Sequence, residues 1–113
     1  MLRIKRVYDD ASPDDGKRVL VDRLWPRGIK KEDAAIDEWL KDIAPSSELR
    51  KWYSHDPAKW GEFKKLYKIE LKDRMGIVDR LRTESKKRTI TLLFSAKATE
   101  LNNAVALKEF IEQ

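Results

Sequence analysis

Five residues closing an apolar stretch carry the densest chemistry in the sequence: Asp22, Arg23, Trp25, Arg27 and Gly28. A guanidinium matches the planar, two-pronged geometry of a phosphate or carboxylate. A carboxylate beside it can orient the guanidinium or serve as a base. Asp22 is thus the candidate catalytic residue, Arg23 and Arg27 are candidate anion ligands, and Trp25 is a candidate pocket wall. A purely structural reading stands beside this one. Asp22 then pairs with Arg23 or a loop N–H, Trp25 fills the core, and Arg27 stands in solvent. Spacing alone leaves both open.

A second cluster comprises Ser95, Ala96, Lys97, Thr99, Asn102 and Asn103. It falls where an apolar strand hands over to a helix. A helix start offers free N–H groups and partial positive charge, which suit an anion. Ser95, Lys97 and Asn102 join the candidate ligand-binding set on this ground. The structural alternative has Thr99 capping the helix and Lys97 solvated. Ser95 has no nucleophile-elbow context and no evident base, which argues against serine catalysis. His55, the single histidine, titrates in the right range for acid–base work, with an unperturbed pKa of ~6.5. It reads instead as a loop residue packed against Trp52, ahead of a capped helix.

Other chemistries are excluded or unsupported. The chain has no cysteine, so disulfides, thiolate nucleophiles and iron–sulfur clusters are ruled out. No His, Asp or Glu grouping has metal-ligand spacing, and no glycine-rich phosphate loop of either common pattern occurs. No metal and no cofactor is expected.

These residues need elements to position them. Leu2, Ile4 and Val7 alternate with charges and predict a first, half-exposed strand. The turn formers of 9–16 follow, and 18–22 predict a second strand, apolar enough to be covered on both faces. The two strands would pair as a long hairpin or lie as neighbours with a wider connection. Pro26 and Gly28 make 23–31 a loop leaving the carboxyl end of that strand, where α/β sheets bind ligands. Ile36, Trp39, Leu40 and Ile43 have helical spacing and predict a helix over 32–44, ended by Pro45. Ser46 to Glu48 is a capping signal for a short helix over 48–53. Asp56 and Pro57 open a helix whose buried stripe is Trp60, Phe63, Tyr67 and Leu71. Another runs over 76–86, with Gly76 marking the break. Residues 89–96 predict the central strand, and 99–112 the last helix. A strand passing directly into a helix is half of a parallel βαβ unit. The expected fold is a small single α/β domain over 1–113, with a central, mostly parallel sheet flanked by helices. If the strands ending at Asp22 and Ser95 are parallel neighbours, the two clusters meet.

The chain has 113 residues, 40% of them charged, with a net charge of +5 and a pI near 9.5. A pI this high is one mark of nucleic-acid binders. The run 80–88 holds five basic residues against one acidic, and Lys64, Lys65, Lys68, Lys72 and Arg74 precede it. Glu62, Glu70, Asp73 and Asp79 are interleaved, so a solvated helix face is the better reading. Trp52 and Trp60 read as core rather than as base-stacking platforms. No apolar run could span a membrane, and no secretory signal is recognisable at the N-terminus, so the expected location is the cytoplasm.

Several stretches together resemble the YeaO-like family, within the domain of unknown function 488. They are Lys5–Tyr8, Leu20–Lys31, Asp37–Trp39, Ala44–Ser46, Glu48–Trp52, Thr91–Leu93 and Ser95–Lys97. The resemblance spans residues 2 to about 111, and the Asp22–Lys31 stretch is its most specific part. It implies a small α/β domain with a central sheet. It also implies that Asp22, Arg23, Trp25, Pro26, Arg27, Ser95, Lys97 and Asn102 occupy the family's motif positions. Longer relatives carry a cysteine and a His-Arg pair near the last strand and helix. Phe94, Ser95, Leu101, Asn102 and Asn103 stand in that region here, so thiol chemistry is absent and no histidine can act there.

Three functional readings remain at this point. The preferred one is a cleft at strand carboxyl ends holding a small phosphate- or carboxylate-bearing ligand, with or without catalysis. The others are a nucleic-acid-binding module using basic helices, and an interaction protein in which Asp22 and Arg23 form a structural ion pair.

Overall fold

Ile90–Phe94 offers almost nothing to water, and a strand of that composition needs cover on both faces. The computed structural model, which describes residues 1–113, places it in the interior of one parallel sheet. The strands are β1 (Leu2–Arg6), β2 (Lys17–Leu20), β3 (Glu38–Trp39) and β4 (Ile90–Phe94), in the order β1-β4-β2-β3. The helices are α1 (Ser47–Tyr53), α2 (Trp60–Leu71), α3 (Met75–Lys87) and α4 (Asn103–Glu112). The α/β class and parallel centre expected from the sequence are present. β1 and β2 are neither a hairpin nor neighbours, because β4 lies between them, with Ile90 facing Leu2 on one side and Lys17 on the other.

The two faces of the sheet are covered differently. Val19, Val21, Ile90, Leu92 and Phe94 meet residues of all four helices in the main core. Leu20 and Leu93 point the other way, with Val7, and are covered by Trp25, Ile29, Ile36 and Trp39. Segment 25–39 therefore serves as the second layer. This explains why residues 32–44 are not a helix. Ile36 and Trp39 pack on the loop-covered face, while Leu40 and Ile43 pack into the helix-covered core. Instead of a helix the chain makes the short edge strand β3, with Trp39 in register beside Leu20, and then a 3-10 turn at Lys41–Ile43.

Most helix ends follow their sequence signals. The Ser46 hydroxyl accepts from Leu49 N–H at 3.1 Å and donates to Glu70 at 2.6 Å, fixing α1 against α2. Asp56 and Pro57 open a 3-10 turn that leads into α2. Two expectations shift. The break between α2 and α3 is the turn Lys72–Arg74, and Gly76 lies inside α3. Helix α4 is capped by Asn102, whose Oδ1 accepts from Val105 N–H at 3.1 Å, so it starts after Thr99.

Candidate functional site

β2 and β4 are parallel neighbours with Leu20 opposite Leu93, so their carboxyl ends lie side by side. The chain just beyond them meets at one carboxylate. Asp22 Oδ2 accepts the Ser95 N–H at 2.9 Å and the Ser95 hydroxyl at 2.7 Å. Asp22 Oδ1 accepts Asn103 Nδ2 at 3.0 Å, and the same amide donates to the Val21 carbonyl at 3.1 Å. The Asp22 carbonyl in turn accepts Trp39 Nε1 at 2.8 Å. The anion at the start of α4 is thus the chain's own. Asp22 contacts no guanidinium, so neither an ion pair with Arg23 nor the orienting of an arginine is formed.

A cleft of about 590 Å³ opens at this sheet edge. Arg23, Trp25 and Arg27 come from the loop after β2, Tyr8 from the end of β1, and Ser95 and Asn103 from the β4–α4 junction. The opposite wall is α1 and the turn after it, with Arg50, Lys51, Tyr53 and His55. Four cations therefore face a single carboxylate, and none of the four takes part in an ion pair. Arg23 is braced by weak bonds to the carbonyls of Ala44 and Pro45, at 3.3 and 3.4 Å. Arg27 is exposed. Arg50 Nη2 reaches the Ser47 hydroxyl at 3.3 Å, while its Nε is buried without a partner.

The cleft's aromatic groups are held from behind. The Tyr8 hydroxyl donates to the Arg27 carbonyl at 2.9 Å, and Trp25 Nε1 donates to the Ile29 carbonyl at 2.7 Å. The Tyr53 hydroxyl donates to the Leu101 carbonyl at 2.8 Å, with its ring stacked 4.3 Å from Phe63. Burial, reinforced by the Asp56 charge, pushes the Tyr53 phenol above its ordinary value, so it stays a donor.

The structure gathers Asp22, Arg23, Trp25, Arg27 and Ser95 around one cleft. Two other sequence candidates stand apart from it. Lys97 is exposed and does not line the cleft, and Asn102 is fully buried as the α4 cap, with Asn103 facing the cleft in its place. His55 lines the cleft and packs on Tyr53, 5.7 Å between ring centres, rather than on Trp52. Trp52 is 39% exposed, with Lys59 over its ring, so it is not core. The cations of α1 and the ring of Tyr8 carried no spacing signal, because they come from elements remote in sequence. No group of three or more metal-ligating side chains is present. On α3, Arg80 is tied to Glu38 and Glu84, and Arg82 to Asp79.

Comparison with known proteins gives the family and assigns no reaction. The chain is 47% identical over 110 residues to the uncharacterized protein YeaO of Escherichia coli (strain K12), covering 97% of this chain and 96% of that one. It is 41% identical over 110 residues to uncharacterized proteins of Mycobacterium bovis and Mycobacterium tuberculosis, covering 97% of this chain and 92% of each. No solved structure matches. No helix is long and apolar enough to cross a membrane. A family model described as the inactive DUF488-N3 subclade matches residues 1–113. The chain belongs to this YeaO-like branch of the domain of unknown function 488.

Proposed function

We propose that this protein binds a small phosphate- or carboxylate-bearing ligand in the cleft beyond β2 and β4, and does no chemistry on it. The observation that carries the reading is the convergence of Arg23, Arg27, Arg50 and Lys51, from two separate elements, on one cleft with no acidic partner of their own. Unpaired guanidinium groups gathered in a concavity, rather than spread over the surface, are suited to an anion. Non-catalytic binding is supported by what the residues are already doing. Asp22 is occupied by three donors, the Ser95 hydroxyl proton is used on Asp22, and His55 has no carboxylate orienting it. The family's description as inactive points the same way. Asp22 on this reading is a positioning residue that holds the cleft's floor together.

The test is a thermal-shift panel of phosphates, nucleotides, sugar phosphates and carboxylates, run with Arg27→Ala in parallel. A ligand at ~100 times its dissociation constant adds about 2.7 kcal/mol, which raises the midpoint of a domain this size by roughly 10 °C. The expected result is a rise with an anionic compound that Arg27→Ala diminishes. Arg27 is exposed, so its removal leaves the fold intact. If no anion raises the midpoint, or the variant responds as the parent does, the reading fails.

A further inference from the structure

Resting on that reading, we infer that the ligand is a flat aryl anion: an aromatic ring bearing one carboxylate or phosphate, rather than an inorganic anion or a sugar phosphate. The cleft's aromatic donors and the groups gathered on Asp22 are spent inside the protein. All three aromatic donors, on Tyr8, Trp25 and Tyr53, are directed to backbone carbonyls. The Ser95 hydroxyl and the Asn103 amide are directed to Asp22. The carbonyls of Ala44 and Pro45 already accept from Arg23. A sugar entering this cleft would find these groups engaged, with only the cations, Ser54 and His55 left to replace its water, and each unmatched hydroxyl costs affinity.

The rings, with their polar ends engaged, leave mostly hydrocarbon surface for a ligand. Tyr8 and Trp25 present ring surface in the same cleft as the four cations, while Tyr53 and Phe63 also line it but are almost fully buried. Each ring is fixed by a neighbour: Trp25 edge-on to Trp39 at 5.4 Å, Tyr53 on Phe63 at 4.3 Å, and Tyr8 under the Arg6 guanidinium at 4.9 Å. Fixed rings lose little freedom when a planar group stacks on them. A volume of about 590 Å³ also exceeds what a bare phosphate or carboxylate would fill. Cations without partners and rings without free donors together select charge at one end of the ligand and a flat apolar body at the other.

Titration calorimetry with phenyl phosphate, inorganic phosphate and glucose 6-phosphate tests this, on the parent and on Tyr8→Ala. Tyr8 is 42% exposed, so its truncation spares the core. Phenyl phosphate is expected to bind about tenfold or more tighter than the other two, from ring burial and stacking. Tyr8→Ala frees the Arg27 carbonyl as well as removing the ring, so the readout is the ratio: the preference for phenyl phosphate over inorganic phosphate is expected to fall about threefold or more. Equal affinity for all three anions, or a preference for glucose 6-phosphate, overturns the aryl class while the anion site stands. An unchanged preference of Tyr8→Ala for phenyl phosphate over inorganic phosphate overturns it as well. Failure of all three anions to bind removes both the class and the site.

Discussion

Asp22 is where residue chemistry decides the architecture of the cleft. One carboxylate takes the N–H and hydroxyl of Ser95 and the amide of Asn103, so the ends of β2 and β4 and the start of α4 share a single acceptor. Hydrogen bonds to a charged acceptor are worth about 1.5–3 kcal/mol each, and a donor left bare in a partly buried place adds its desolvation cost. Asp22→Ala is therefore expected to lower stability by about 2–4 kcal/mol in urea denaturation. A loss under about 0.5 kcal/mol would mean that the loops hold themselves. The motif Asp22–Arg27 was legible because its residue types are rare together and Pro26 and Gly28 mark a loop. The α1 wall was not, since Arg50 and Lys51 are ordinary residues on a charged helix until the fold turns them toward Arg23. The one-residue difference between Asn102 and Asn103 was equally hidden. Both suit a helix start, and only the observed cap, buried and bonded to Val105 N–H, tells them apart.

Elements were legible where pattern and surroundings agree. β4 and α2 show uninterrupted periodicity, and both lie where expected. Segment 32–44 misled because apolar residues spaced like a helix also fit a chain that crosses the sheet edge and supplies both faces in turn. Glycines mark a further difference between elements of the same composition. Gly16 joins a 3-10 turn to β2 with φ +62°, and a β-carbon there would collide with the Thr89 carbonyl oxygen beside β4. Gly61 lies in α2 with open space around it. Gly16→Ala should destabilise by more than about 2 kcal/mol, from left-handed backbone cost plus the clash. Gly61→Ala should stabilise by about 0.5–1 kcal/mol, because alanine restricts the unfolded chain. Thermal midpoints of the two variants moving in the same direction would contradict this account.

Across the whole molecule the largest ion-pair network lies at the amino edge of the sheet, away from the cleft. Lys17 and Glu38 open β2 and β3, and with Arg80 and Glu84 of α3 they form a network of contacts between 2.8 and 3.1 Å. Asp15, just before β2, is buried against Arg18 at 2.5 Å and Lys5 at 3.2 Å. Burial alone would raise the Asp15 carboxyl. The Ser12 N–H, Arg18 and Lys5 outweigh burial and hold it below the usual carboxylate range. Bonds from Arg80 and Lys17 lower Glu38, and bonds from Lys17 and Arg80 lower Glu84. A carboxyl whose folded value lies below its unfolded one contributes stability that is complete above the unfolded value, about 4, and is lost as pH falls through the folded value. The urea midpoint should accordingly stay level from pH 7 to about 5 and fall steadily below about 4. Asp15→Asn should be less stable at neutral pH, because Arg18 keeps its buried charge without a partner, and its midpoint should fall less steeply in acid. A parent midpoint unchanged between pH 7 and pH 3 would show that the amino-edge network adds nothing to the fold, and a variant as acid-sensitive as the parent would move the effect away from Asp15.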